Sequence, residues 1–176
     1  MSPNSPIAYW RLFVTVLWVI LLDQLSKIWI LHHLPIDTYF LDSIHQPIAI
    51  IPHFFYIVHI QNIGAAWGIL AGYTFWLIAL GFVALFMLYF YRKEFGLNRP
   101  ILQYAFGLLI GGIIGNMIDR IAYGGVIDFL DFHFGSYRYP AFNVADCGIT
   151  IGVTVYIIVS IYDWVKKPSG SETAHN

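Results

Sequence analysis

The chain has 176 residues, of which 59% are hydrophobic and only 11% charged, whereas an ordinary soluble domain carries about 25% charge; water is not its main solvent. A formal net charge of −1 supplies no basic field for nucleic acid, which excludes that class of partner. The length suits one domain, and the single cysteine, Cys147, excludes an internal disulfide and behaves in its apolar segment as a small hydrophobe.

In chain order, the first apolar run spans Trp10 to Leu31. Its core, Leu12 to Leu22, has the look of a signal-peptide centre, but Asp23 and Lys27 follow and no small-residue cleavage site does, so it reads as an uncleaved spanning helix. The connection from His32 to Gly72 is too rich in aromatic and β-branched residues for a plain linker. Within it, Ile48 to Ile60 has strand composition, with Pro52 suited to an edge or an interruption. A small sheet at the outer interface is expected; the alternative is an interfacial belt of Tyr and Trp without regular structure.

Three further apolar segments run from Tyr73 to Tyr91, Ile101 to Ile118 and Val144 to Trp164. At about 1.5 Å per residue, all four are long enough to cross about 30 Å of hydrocarbon. Between the second and third, Arg92 to Pro100 combines charge, Gly96 and a restarting proline, a tight hairpin. A second outer connection runs from Asp119 to Asn143. The fold class expected is an α-helical membrane protein with four transmembrane helices and a small extracytoplasmic β-sheet, residues 1–165 forming a single membrane-embedded domain. Arg11, Arg92, Lys93, Arg99, Lys166 and Lys167 fall on one side of this arrangement, against Lys27, Arg120 and Arg138 on the other, which places both termini in the cytoplasm. The polar stretch 166–176, with Pro168 and Gly170, reads as a disordered cytoplasmic tail.

Polar residues are costly inside spans, and here they gather at the outward helix ends: Asp23 and Lys27, Asn116, and Asp146. Asp23 and Lys27 are four apart and share a helix face, which also admits a purely structural reading as a self-neutralising pair. Gly107, Gly111 and Gly115 form a smooth stripe for close helix packing. Beyond them Asn116 and Arg120 repeat the four-residue spacing with Asp119 between, although Arg120 also suits an interfacial anchor. Gly124 to Phe132 sets Asp128 and Asp131 among large apolar side chains, where desolvation raises an unpaired carboxyl. Asn143 is an N-cap for the fourth helix, with Asp146 three positions on at the positive end of the helix dipole. Capping alone leaves unexplained why Asp128 and Asp146 flank one outer crossing. Two carboxylates sharing a site hold one proton between them, which suffices to activate water and protonate a leaving amine without metal or other cofactor.

Five blocks of residues resemble the bacterial lipoprotein signal peptidases, or signal peptidase II. They are Asp23-Gln24-Leu25-Ser26-Lys27; Asn62-Ile63-Gly64-Ala65-Ala66-Trp67-Gly68; Gly111 to Arg120; Gly125 to Phe132; and Phe142-Asn143-Val144-Ala145-Asp146. The resemblance covers nearly the whole chain. It implies a multi-pass enzyme of the bacterial inner membrane, active near the periplasmic face, that cleaves diacylglyceryl-modified prolipoproteins just before the lipidated cysteine. It further implies Asp128 and Asp146 as the catalytic pair, with Asp23, Lys27, Asn62, Asn116, Arg120 and Asn143 shaping the site or holding substrate. Membrane lipid and globomycin-type cyclic peptide inhibitors are the other partners it implies.

Two rival readings come from other chemistries. Asp119, Asp128 and Asp131 offer oxygen ligands for magnesium, and His32, His33, His45, His53, His59 and His133 offer nitrogens, but no His-Glu-x-x-His motif or cysteine pair supports zinc. A small proton-coupled transporter would use Asp23, Lys27 and Asp146 as a relay, yet the cytoplasmic halves of the helices are apolar and no inverted repeat is evident. A purely structural assembly protein leaves the two outer aspartates without a purpose.

Overall fold

The computed structural model describes residues 9–36, 38, 46–64 and 69–166. In chain order the elements are α1 (Trp10–His33), β1 (Ile48–Ile51), β2 (Phe55–Asn62), α2 (Thr74–Phe90), α3 (Pro100–Tyr123), β3 (Val126–Phe134), β4 (Tyr137–Arg138) and α4 (Val144–Lys166). Helices α1, α3 and α4 are each long and apolar enough to cross a membrane. Helix α2 is equally apolar but has 17 residues, and hydrogen-bonded turns carry it on, with the Tyr91 N–H donating to Met87 O and the Phe95 N–H to Tyr91 O.

The bundle is built around α3. Gly107, Gly111 and Gly115 face α1 so closely that a Cβ on each would lie 2.6 Å from Thr15 Cβ, 2.7 Å from Val19 Cβ and 2.5 Å from Asp23 Oδ2. The matching row on α1 is Thr15, Val19 and Asp23, also four apart, so two i±4 ridges run side by side. Toward α4, Gly112 lies against the Ala145 carbonyl, while Gly148 and Gly152 meet the backbone of Leu108 and Ala105. Small residues on both contacts let three backbones approach in a solvent whose tails are as apolar as leucine, where only close packing and polar contacts hold helices together. Elsewhere the bundle turns large apolar side chains outward. Leu17, Trp18, Phe82, Phe86 and Ile158 are all more than half exposed, a surface that suits lipid and not water.

Helix α3 runs past the expected end at Ile118 to Tyr123, where Gly124 adopts φ +77° and its N–H returns to Arg120 O, an αL stop that glycine accepts without strain. Asp119 and Arg120 therefore sit on the helix rather than in the outer connection. Lys166, assigned from composition to the tail, closes α4; 167–176 lie outside the described residues. The hairpin before α3 forms as expected, with Gly96 at φ +70° and Pro100 at the first helical position.

The sheet is antiparallel in the order β1-β2-β3-β4. The stretch read as one strand divides at a turn over Pro52 to Phe54, with His53 at φ +65°. Strand β3 was visible in the sequence only as carboxylates among apolar residues. It pairs with β2 so that Ile60 is opposite Asp128 and Asn62 opposite Val126. His59 ties β2 to the end of α1: its N–H donates to Thr38 Oγ1 at 2.7 Å, and its Nδ1 lies 2.8 Å from Leu34 O.

Gly115→Ala drives a methyl group into the buried Asp23 carboxylate and is expected to destabilise by about 1–3 kcal/mol, the usual range for overpacking. Leu80→Ala on the exposed face of α2 is expected to change little. Thermal unfolding in detergent compares them, and equal midpoints would refute the close α1–α3 contact.

Candidate active site

At one end of the bundle, α1 and α3 bury a lysine between two carboxylates. Lys27 Nζ lies 2.8 Å from Asp23 Oδ2 and 2.8 Å from Asp119 Oδ2, all three side chains being essentially inaccessible. Its third contact is Asn116 Oδ1 at 3.2 Å, so the three ammonium protons all have acceptors. The two carboxylates also reach further. Asp23 Oδ1 accepts the Ala145 N–H at 2.8 Å, in the first turn of α4, and Asp119 Oδ2 accepts the Ile127 N–H at 3.1 Å, one residue before Asp128. Gln24 Nε2 donates to both carboxylates, at 3.1 Å to Asp23 and 2.9 Å to Asp119. One charged knot thereby anchors the two segments that carry the outer aspartates.

Those aspartates are joined by Asn143. Its Nδ2 donates to Asp128 Oδ1 at 2.7 Å, and its backbone N–H to Asp146 Oδ2 at 3.2 Å. The Asp146 N–H returns a bond to Asn143 Oδ1 at 3.0 Å, which completes a reciprocal capping box at the start of α4. Capping and site-building are thus the same contacts. The second oxygen of each aspartate has its own amide donor: Asn62 Nδ2 to Asp128 Oδ2 at 3.0 Å, and Asn116 Nδ2 to Asp146 Oδ1 at 2.8 Å.

Asp128 is 3% exposed. Burial, reinforced by the negative charge of Asp146, pushes its carboxyl from 3.8 up to about 7, against the opposing hydrogen bonds of Asn62 and Asn143 and the charge of Lys27. The Asp128 carboxyl therefore exchanges its proton near neutral pH, with a second carboxyl group beside it.

Arg120 sits in the electrostatic field of Asp146, Asp128 and Asp119. Its terminal nitrogens donate to Asn116 O at 3.2 Å and Gly64 O at 3.0 Å, while the Gly64 N–H donates to Asn62 Oδ1. This fastens the end of β2 over the site; Ala65 to Gly68 of the same block lie outside the described residues. A groove of about 480 Å³ opens among α2, α3, α4 and the segment before α4, and its lining includes Asn62, Asn116, Arg120, Asp128 and Asp146.

All eight residues singled out from sequence thus converge: Asp23 and Lys27 beneath, Asn116 and Asn143 between, Asp128 and Asp146 at the groove, Asn62 and Arg120 at its rim. Asp119 and Gln24 belong to the same network. Asp119, which the sequence offers as an oxygen ligand for magnesium, gives its oxygens to Lys27, Gln24 and the Ile127 N–H. Asp131 is instead 2.7 Å from His133 Nε2. Among the described residues, no three of His, Cys, Asp and Glu gather to hold a metal ion; His45 lies outside them.

The family model for signal peptidase (SPase) II matches residues 15–162. The chain belongs to the signal peptidase II family. Among relatives, the lipoprotein signal peptidase of Desulforapulum autotrophicum is 37% identical over 161 residues, covering 88% of this chain and 94% of the relative. That of Burkholderia cenocepacia is 42% identical over 157 residues, covering 87% and 86%. A solved structure of a bacterial membrane enzyme superposes with a TM-score of 0.79 at 32% identity, covering 91% of this chain and 93% of the other. Membership makes the chain a membrane protease with signal peptidase II function; nothing in these likenesses supports the transporter reading.

Removing the central cation leaves two buried carboxylates without a counter-ion. Lys27→Met is expected to cost about 3–5 kcal/mol, seen as loss of folded protein in detergent extracts; a variant as stable as the parent would refute the knot. A second expectation concerns pH. With the Asp128 carboxyl at about 7 in the fold and 3.8 ordinarily, the native state binds more protons than the unfolded chain between these values, so stability falls as pH rises through that window. Asp128→Asn lacks this titration. Its thermal midpoint relative to the parent should therefore rise from about pH 4 to about pH 7 and then level off, the ionised form costing on the order of 4 kcal/mol. A constant difference across that range would show that Asp128 ionises as an ordinary carboxyl.

Proposed function

We propose that this member of the family is an aspartic endopeptidase of the bacterial inner membrane that cleaves diacylglyceryl-modified prolipoproteins just before the lipidated cysteine, with Asp128 and Asp146 as the catalytic pair. The single observation that supports it most is Asn143, which hydrogen-bonds both carboxylates at once and keeps them in one groove. In this reading a water between the two is deprotonated by the ionised aspartate as it attacks the scissile carbonyl. The protonated aspartate supplies the proton to the departing nitrogen, and the roles exchange during turnover. The residues in the groove suffice for this without a cofactor. Because the two carboxyls share one proton, each can serve as acid while the other serves as base.

The other residues take supporting roles. Asn62, Asn116 and Asn143 orient the aspartates by amide donation, Arg120 offers positive charge to the developing oxyanion, and Asp23 and Lys27 hold the helices that carry them. Both termini lie in the cytoplasm by the distribution of lysine and arginine, which sets the groove and the sheet at the periplasmic face. A lipid-anchored substrate then meets the groove at the depth of its own scissile bond. Globomycin-type cyclic peptides would compete for that groove.

Purified protein in detergent with chelator should cleave a diacylglyceryl-modified prolipoprotein peptide before the lipidated cysteine. Asp128→Asn and Asp146→Asn should each remain folded and lose at least about 10³-fold in kcat. Activity should follow a bell, because only the singly protonated pair is competent: it falls as pH rises through the upper value, near the Asp128 carboxyl at about 7, and falls again as the second carboxylate protonates. Folded variants that stay active, or a profile flat from acid to alkali, would sink the assignment of the pair.

A further inference from the structure

A second cavity adjoins the catalytic groove along α4. It has a volume of about 420 Å³ and is walled by Phe132, Phe134, Tyr139 and Phe142 on one side and by Cys147, Thr150 and Ile151 on the other, with Asp146 also in its lining. Both cavities touch Tyr139, Phe142, Asp146 and Thr150. At about 3.6 residues per turn, Ile149 turns toward the catalytic groove and Cys147 and Ile151 toward the second cavity, so a molecule passing Asp146 moves from one to the other around the helix. The aromatic wall is braced: Phe142 stacks on Phe132 with ring centres 5.8 Å apart and meets Tyr139 edge-on at 5.7 Å. Phe134, Tyr139 and Ile151 are each about half exposed, so the cavity opens outward onto the surface that faces lipid.

Resting on the proposed peptidase reading, the geometry points to this cavity as the subsite for an acyl chain of the substrate's diacylglyceryl group. Three features select that occupant. The lining is aromatic and aliphatic with few polar atoms, so a peptide laid in it would leave backbone N–H and C=O groups unsatisfied, each at a cost of several kcal/mol. A signal-sequence helix, about 10–12 Å across with its side chains, does not fit such a space, whereas an extended hydrocarbon chain does. Cleavage just before the lipidated cysteine also sets the glyceryl group within one residue of the scissile bond, so its chains must leave from beside the catalytic pair, and this cavity begins at Asp146. An acyl chain arriving from the bilayer gains no transfer from water, because the membrane is already apolar. What it gains is contact with fixed rings, and the consequence is registration of the scissile bond over the aspartates.

Cys147 is the only cysteine of the chain and lines the cavity, which makes it the probe. Full-length Asp128→Asn protein, which should bind without cleaving, is alkylated with N-ethylmaleimide and followed by intact mass. A diacylglyceryl-modified peptide at about ten times its Kd should slow alkylation about tenfold; the same peptide without lipid, its cysteine capped by S-methylation so that it does not consume the maleimide, should not. In otherwise native protein, Ile151→Trp, which fills the cavity away from the aspartates, should lower kcat/KM for a long-chain diacylglyceryl peptide and leave a short-chain analogue unaffected. If the parent cleaves the lipopeptide but alkylation is unchanged by it, or is slowed equally by the unlipidated peptide, the subsite is wrong and the peptidase stands. Equal loss on long and short chains in Ile151→Trp would also overturn it, and a parent that cleaves no lipopeptide removes both readings.

Discussion

The rest of the structure depends on a lysine buried between two aspartates. Lys27 is 1% exposed and Asp23 and Asp119 are inaccessible, an arrangement tolerable in a low-dielectric interior only because each charge meets its opposite at 2.8 Å and the remaining oxygens find N–H donors. A buried ion pair is weak support for stability compared with apolar packing. Its value here is geometric, because the same two carboxylates that pair with Lys27 also hold the Ala145 and Ile127 amides and so fix where α4 and β3 begin.

The groove then follows with little freedom. Asp128 lies opposite Ile60, two residues in from the end of β2, and one residue from an anchored amide; Asp146 is the third residue of a helix whose second residue is anchored. Asn143 closes the gap between them. Each aspartate oxygen is met by an N–H, and each donor is an uncharged amide or backbone group. Neutral donors orient a carboxylate without forcing it to ionise, as an adjacent arginine salt bridge would. That choice leaves burial and the neighbouring charge free to raise Asp128 to about 7, the region where one proton can be shared.

The packing of α3 explains why the site is rigid on one side and open on the other. Glycines on two faces bring α1 and α4 to backbone contact, so the knot sits in a tightly held three-helix core. Helix α2 has no buried residues, and its Leu77, Leu80, Gly81 and Ala84 form the far wall of the groove. The catalytic residues proposed here all come from the tightly packed elements, while the loosely held helix borders the space a substrate would enter.

Composition, hydropathy and the four-residue spacings determined by themselves that this is a helical membrane protein, because a span needs about 20 apolar residues and an intramembrane charge must have a reason. Ordered blocks such as Phe142 to Asp146 were enough to recognise the family. The sequence also revealed that Asn143 caps α4, since a side-chain cap is a local event. Only the tertiary structure decided that Asp119 pairs with Lys27, that Gln24 bridges both carboxylates, and that β3 carries Asp128 beside Asn62. Those contacts join residues up to 95 positions apart. Side-chain spacing along one helix cannot encode such contacts, because they depend on how closely glycine lets the helices approach.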